Sequence, residues 1–477
     1  MVDECPRYMM SLVDTADALK SGRTTSVELT KLILSRIKSH DSHYQSYAQV
    51  IAASALESAA IADEEIREEQ YRGPLHGIPI AVKDLFHMTG TKTAAGSKIL
   101  RGQISDANAA VVDKLLNAGA VILGKLCMTE FALSGYHPEE NVPVNPWNEN
   151  FWSGVSSSGS AVATAAGLAY GTVGTDTGGS IRFPACANGV VGIKPTFGSV
   201  SGYGSIPLAQ TLDHIGPIAR RVEDAAIILQ AIAGPDKRDH HSIDNNQINY
   251  LSSLKDGPQG LKIGVDESYI AADGVHAEVS ESVHRVIDIL QNSGAEIIKV
   301  NISELGAMSH VWVGIVAYEA SQNHASTYPS RAEEYGPVFS NLLDAGTQLT
   351  NASYEEMREV VQVAKTIMVN ELSGVDIIIC PASPLPTGTI EALGSEVVLP
   401  PEVVAFFMMY AAPFNFTGSP SVTVPCGFDS DNNMPLGVQF VGHHLGEAKL
   451  IQAAYAYEQL REWHKYFPPT PVQLRTS

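Results

Sequence analysis

Ser153-Gly154-Val155-Ser156-Ser157-Ser158-Gly159-Ser160 and Gly174-Thr175-Asp176-Thr177-Gly178-Gly179-Ser180-Ile181-Arg182 flank the small-residue run Ala161–Ala169. The run is too apolar for a linker and predicts a buried helix. Glycines beside a serine let the backbone approach a ligand closely and aim several N–H groups at one point. An oxyanion-stabilising loop needs that geometry, so the pair of clusters suggests acyl transfer at a serine. Composition by itself reads the same residues as a Gly/Ser loop without chemistry, and the surrounding chain decides between the two.

Outward from the clusters, helix-like and strand-like runs alternate. Ile78–Lys83 is apolar on both faces, as a strand inside a sheet would be. Its period of two puts Lys83 on one face with Ala81 and Pro79. Ala110–Ala118, Ala161–Ala169, Val222–Ala233, Ala277–Asn292 and Glu447–Trp463 read as helices. Val121–Leu123, Tyr170–Gly174, Lys262–Val265, Glu296–Val300, Val375–Ile379, Ser421–Val424 and Leu436–Val441 read as strands. Residues 10–66 read as helix, with Thr25 the N-cap of one turn. The alternation predicts an α/β fold, a large mixed β-sheet covered by helices on both faces. One domain over 1–477 is expected: N-terminal helices at 10–70, a core at 73–225 and a completing part at 260–465. Polar residues 234–260 are the candidate division between the last two.

Composition excludes several classes. A chain of 477 residues that is 44% hydrophobic and 17% charged has a large core and is not disordered. A net charge of -21 argues against a nucleic-acid surface, which needs clustered Lys and Arg. Five scattered cysteines fit reduced thiols in a cytoplasmic protein. No signal peptide and no membrane span is expected from the sequence. Fifteen histidines include no ligand pair of metalloprotease type, so neither a metal nor a cofactor is expected.

A serine nucleophile needs a base. The Gly-x-Ser-x-Gly elbow is absent, and neither cluster has a histidine nearby. Gly119–Leu126 nearly matches a phosphate-binding loop, but Leu126 stands where Ser or Thr must hold magnesium, so it reads as a helix–turn–strand junction. Lys83 remains. Burial would favour its neutral form; alternatively Lys83 forms a structural ion pair with Asp84 or Asp176. Local sequence leaves both open.

Three ordered segments resemble the amidase signature family: Gly73-Pro-Leu-His-Gly-Ile-Pro-Ile-Ala-Val-Lys83-Asp, Gly154–Ser160, and Gly174–Pro184. Ser156 and Ser180 stand 24 residues apart, as the family's key serines do. Asn145-Pro-Trp147, Gly192-Ile-Lys-Pro-Thr196, Leu212-Asp-His-Ile-Gly-Pro217, Pro420–Gly427 and Pro435–Gln439 extend the resemblance to about residues 10–460. It implies a Ser–cis-Ser–Lys triad in which Lys83 is the general base, Ser156 the bridging serine after a cis peptide bond, and Ser180 the nucleophile. The backbone of Thr177, Gly178, Gly179 and Ser180 would form the oxyanion hole, with Ser157, Asp176 and Arg182 supporting the loops. The family's first cluster commonly reads Gly-Gly-Ser-Ser-Gly-Gly; Val155 and Ser158 replace two of those glycines here.

The resemblance implies a hydrolase of a carbonyl C–N bond, in an amide, carbamate or urea. A second expectation is the glutaminase subunit of a tRNA-dependent amidotransferase. That subunit carries paired arginines before a Met-Leu-Gly-Thr-like turn to hold glutamine's carboxylate. Asn341-Leu-Leu-Asp-Ala-Gly-Thr347 has no basic residue, and a carboxylate facing Asp344 would lack a counter-charge. An uncharged or apolar small-molecule substrate is therefore expected, with a monomer or homodimer and no nucleic-acid or membrane partner. Met128, Ala132, Leu133, Phe151, Trp152 and the segment Phe406–Phe416 are the candidate pocket. Were Lys83 not the base, His214 would be the first histidine to examine.

Overall fold

The computed structural model describes residues 5–393 and 400–469. Eleven strands are present among them: β1 (Tyr47–Val50), β2 (Pro79–Lys83), β3 (Val121–Leu126), β4 (Gly171–Asp176), β5 (Val191–Lys194), β6 (His214–Ala219), β7 (Lys262–Val265), β8 (Glu296–Lys299), β9 (Ile377–Pro381), β10 (Ser421–Phe428) and β11 (Pro435–Gly442). They join in one sheet in the order β1-β3-β2-β4-β6-β5-β10-β11-β9-β7-β8. β2 pairs in parallel with β3 and β4, and β7 with β8 and β9, while the central pairings are antiparallel. The mixed sheet is as the alternation predicts. It also runs unbroken across the polar stretch 234–260.

Every residue of β2, β3, β4, β5, β6, β9 and β11 is buried. Successive side chains point to opposite faces, so complete burial means both faces are covered. The helices Ala52–Arg67, Val222–Ile232, Ala277–Asn292 and Glu447–Arg461 pack on the sheet, as do the short Ser158–Ala165 and Arg182–Asn188.

Residues 10–66 are not continuous helix but the helices Leu12–Lys20, Ser26–Tyr44 and Ala52–Arg67, with β1 between the last two. Thr25 does cap the second, its side chain accepting from the Glu28 N–H while Glu28 accepts from the Thr25 N–H. That helix ends where Gln45 turns left-handed, and β1 then adds antiparallel to β3. Strands β5 and β6 were not expected. Val191–Lys194 is only four residues long, and β6 carries Gly216 and Pro217, which local propensity places in turns. β3 runs on through Gly124 and Lys125, where Lys125 is fully buried and lies 3.0 Å from Asp84. That ion pair gives Lys125 a structural partner, and Gly119–Leu126 is a helix–turn–strand junction.

β2 and β4 are adjacent and parallel, with Ala81 opposite Thr172 and Val82 opposite Val173. Their C-terminal ends, Lys83 and Asp176, therefore emerge at the same edge of the sheet. Crevices outside the carboxyl ends of parallel strands are where α/β sheets commonly hold ligands.

Candidate active site

Lys83 ends β2 with no exposed surface, among hydroxyl groups only. Its Nζ lies 2.6 Å from Ser156 Oγ, 3.0 Å from Ser157 Oγ and 2.8 Å from Thr175 Oγ1. Neither Asp84 nor Asp176 pairs with it: Asp84 is held by Lys125, and Asp176 by Arg182. The structural ion-pair alternative for Lys83 is thus not what the structure has. Burial pulls the Lys83 pKa down to about 7, although the charges of Asp176 and Asp213 act in the opposite direction. Three contacts can be made by an ammonium donating three hydrogens, or by a neutral amine donating two and accepting one.

Ser157 fixes this cluster to the sheet. Its hydroxyl donates to the Thr175 carbonyl at 3.1 Å and accepts from the Thr175 N–H at 3.2 Å. With its hydrogen committed there, Ser157 is an acceptor for Lys83. Ser156 follows a cis peptide bond from Val155, and Gly154 before it has φ +81°. A Cβ at Gly154 would stand 2.5 Å from Pro184 Cα, so only glycine fits where this loop crosses the helix after the second cluster. The Ser157 N–H donates to the Ser180 carbonyl at 3.2 Å, tying the two serine loops together. Ser158, standing for a glycine, accepts from the Tyr136 hydroxyl at 2.6 Å.

The loop 176–182 is organised around a buried carboxylate. Asp176 accepts from Gly179 N–H at 2.7 Å and Ile181 N–H at 3.1 Å. Arg182 donates to both of its oxygens, at 3.0 and 2.9 Å, and Asn415 donates to it at 2.9 Å. Burial alone would raise the pKa of Asp176, but the Arg182 guanidinium and these donors hold it well below the carboxylate range. The Gly179 N–H, one of the expected oxyanion donors, thus points to Asp176 in this structure. Thr177, Gly178 and Ser180 keep N–H groups without a protein partner among the described residues. Removing Asp176 would strand a buried guanidinium. Asp176→Ala is expected to cost roughly 3–5 kcal/mol of stability, read as a lowered midpoint of urea unfolding. An unchanged midpoint would show that the pair does not hold the loop.

Ser180 lies on the wall of a cavity of about 310 Å³. Ala132, Leu133, Trp152 and Val155 stand in its wall. Met128 and Phe151 do not: Met128 is core, and Phe151 bridges to Thr389. Of the segment Phe406–Phe416 only Phe407 and Met408 face the cavity, while Phe414 and Phe416 are buried among neighbours. The remaining wall was missed, chiefly Phe183, Trp312, Val338, Leu342 and Leu385. Asn341 and Ala345 reach the cavity from the helix Pro337–Thr347, but Asp344 does not, accepting instead from Tyr328 OH at 2.6 Å. No charged side chain lines the cavity among the described residues. His214 is buried beside β4, its Nδ1 2.6 Å from the Leu212 carbonyl, and is not part of this wall.

No group of His, Cys, Asp and Glu able to hold a metal occurs among the described residues. No described helix is long and apolar enough to cross a membrane.

The family described as Amidase matches residues 28–451. The "Putative amidase AmiD" of Mycobacterium tuberculosis is 39% identical over 471 residues, covering 98% of both chains. A glutamyl-tRNA(Gln) amidotransferase subunit from Prochlorococcus marinus is 36% identical over 493 residues, 98% of this chain and 100% of the relative. The X-ray structure of the peptide amidase from Stenotrophomonas maltophilia superposes with a TM-score of 0.84 at 29% identity, over 98% of this chain and 99% of that one.

Proposed function

Since this chain belongs to the amidase family and is an amide hydrolase, we propose that it cleaves the carbonyl C–N bond of a small, uncharged substrate through an acyl-enzyme on Ser180. The observation that carries this reading is Lys83, buried among three hydroxyls without a carboxylate, at the edge of a cavity that Ser180 lines.

A neutral Lys83 amine accepts a proton from Ser156, the nearest of its hydroxyls and one whose hydrogen is not needed to anchor the sheet. Ser156 takes the proton of Ser180 in turn, and Ser180 Oγ attacks the carbonyl carbon. The oxyanion forms against the free N–H groups of Thr177, Gly178 and Ser180. Ser156 returns a proton to the leaving nitrogen, the C–N bond breaks and the amine departs. Water, deprotonated by the same relay, attacks the ester and releases the carboxylic acid with Ser180 restored. Ser157, Asp176 and Arg182 hold the two loops in register without touching the substrate.

The cavity wall supports an apolar acyl group. The likeness to the tRNA-dependent amidotransferase favours glutamine as a second reading, but glutamine would bring a carboxylate into a wall that has no cation among the described residues. Burying an unpaired carboxylate is costly. Purified protein given matched anilides, aliphatic amides, carbamates and glutamine is expected to favour the apolar acyl substrates. Glutamine should be poorer by roughly a hundredfold or more in kcat/KM, the worth of one lost charge-assisted pair. Comparable turnover of glutamine would favour the amidotransferase reading. One domain and a cytoplasmic setting complete the proposal, supported by the single sheet and by free cysteines, four of them buried.

A further inference from the structure

Trp312 opens the helix Trp312–Asn323, far in sequence from the serine clusters, yet it meets them at two points. Its ring lines the cavity and lies against Gly178 so closely that a Cβ there would stand 2.6 Å from both Cε2 and Nε1. Its indole Nε1–H donates to the Thr177 carbonyl at 3.0 Å. The carbonyl of Thr177 and the N–H of Gly178 are the two ends of one planar peptide unit. A hydrogen bond that holds the carbonyl therefore sets the direction of the N–H. The Thr177 side chain is held separately, its hydroxyl donating to the half-buried Asp213 at 2.6 Å, and Asp213 is itself fixed by the Leu208 and Ala209 N–H groups.

We propose that Trp312 is a positioning residue of this site: its ring walls the acyl cavity, while its indole N–H grips the Thr177 carbonyl and so aims the Gly178 N–H at the acyl oxygen. The inference rests on the reading of Ser180 as nucleophile. Its physical content is that one side chain does two separable things. A cavity wall contributes equally to bound substrate and transition state and is read in KM. A group that orients an oxyanion donor contributes where negative charge develops and is read in kcat. Placing both on one indole links acyl-group binding to the preorganisation of the loop.

The test is benzothienylalanine at position 312, which keeps the bicyclic wall and puts sulfur where the N–H stands, so that the hydrogen bond alone is lost. Expected is a fall in kcat of roughly three- to tenfold, the range of one modest hydrogen bond. KM should change less than about twofold, and the fall should be the same for acetyl and for bulky acyl substrates. Affinity for an aldehyde that forms a tetrahedral adduct should drop by the same factor, while that for the corresponding alcohol, which forms none, should hold. An unchanged kcat, or a change in KM graded by acyl size, would overturn the proposal and leave Trp312 a wall only. If that variant proves unstable on thermal unfolding, Trp312→Phe removes the same N–H with a smaller aromatic wall, and the fall in kcat for an acetyl substrate decides. Failure of the underlying reading looks different: the unaltered enzyme would then take no phosphonate label at Ser180, whatever Trp312 does.

Discussion

Ser180→Ala protein is expected to fold normally, take no label from serine-directed phosphonates or sulfonyl fluorides, and lose at least about four orders of magnitude in kcat/KM. Ser180 lies on the cavity wall, and its backbone carbonyl, not its hydroxyl, ties the two serine loops together. Alanine keeps that carbonyl and the N–H beside it, so the loop, the Asp176–Arg182 pair and the Lys83 cluster should stand. An unfolding midpoint close to that of the unaltered protein would confirm that the lost activity is chemical. On the proposed mechanism the loss is large because Ser180 supplies the atom that becomes bonded to the acyl group. Ser156 has Lys83 at 2.6 Å but is not among the residues that line the cavity. Intact-mass spectrometry after labelling gives the decisive measurement. Stoichiometric labelling of the alanine protein, together with retained amide turnover, would show that another residue is the nucleophile.

The parts legible in the sequence were those with local signals. The apolar strand ending in Lys83 and the long helices Ala277–Asn292 and Glu447–Arg461 emerge within a residue or two of their expected bounds. Periodicity and flanking turn residues are encoded where they act. β5 and β6 were missed because their stability lies in pairing: β6 is held along its whole length by β4, from Gly171 opposite Ala219 to Asp176 opposite His214. Gly216 and Pro217 tolerate such a strand only because neighbours on both sides fix it. β1 was hidden for a related reason, since four residues between two helices carry no period of their own.

At the site, the residues proposed for chemistry were legible because glycine and serine cluster where a backbone must be shaped. What holds them was less so. Asn415 and Trp312 come from segments more than a hundred residues away, and nothing near either one in the chain marks it. The capture of the Gly179 N–H by Asp176 could not be read from spacing either, because it depends on the direction of one peptide plane. The pocket was read worst. Met128 and Phe151 are apolar and near the serines in sequence, yet one is core and the other faces another loop, whereas Val338 and Leu342 reach the cavity from a helix in the second half of the chain. An apolar side chain carries no sign of whether it faces a core or a cavity; only the assembled walls decide.

Lys83 is expected to set the pH dependence of the enzyme. A base must be neutral before it can accept a proton, and Lys83 has a pKa lowered to about 7. Below that value Lys83 is an ammonium donating to all three hydroxyls and cannot take the proton of Ser156; above it the amine is free to do so. The acid limb of kcat/KM should therefore rise through about pH 7. Lys83→Ala should lose several orders of magnitude, and Lys83→Arg should recover little, since guanidinium does not deprotonate in this range. Asp213 complicates the assignment, because burial raises its pKa to about 7 as well. The two can be separated by sign. A charged Asp213 favours the ammonium form of Lys83, so Asp213→Asn removes a charge that raises the Lys83 pKa, and the limb should move to lower pH while keeping its slope. Were Asp213 itself the titrating group, the same substitution would erase the limb. Retention of much activity by Lys83→Arg with an unchanged profile would mean that this lysine is only structural, and would leave Ser156 and Ser180 without a base.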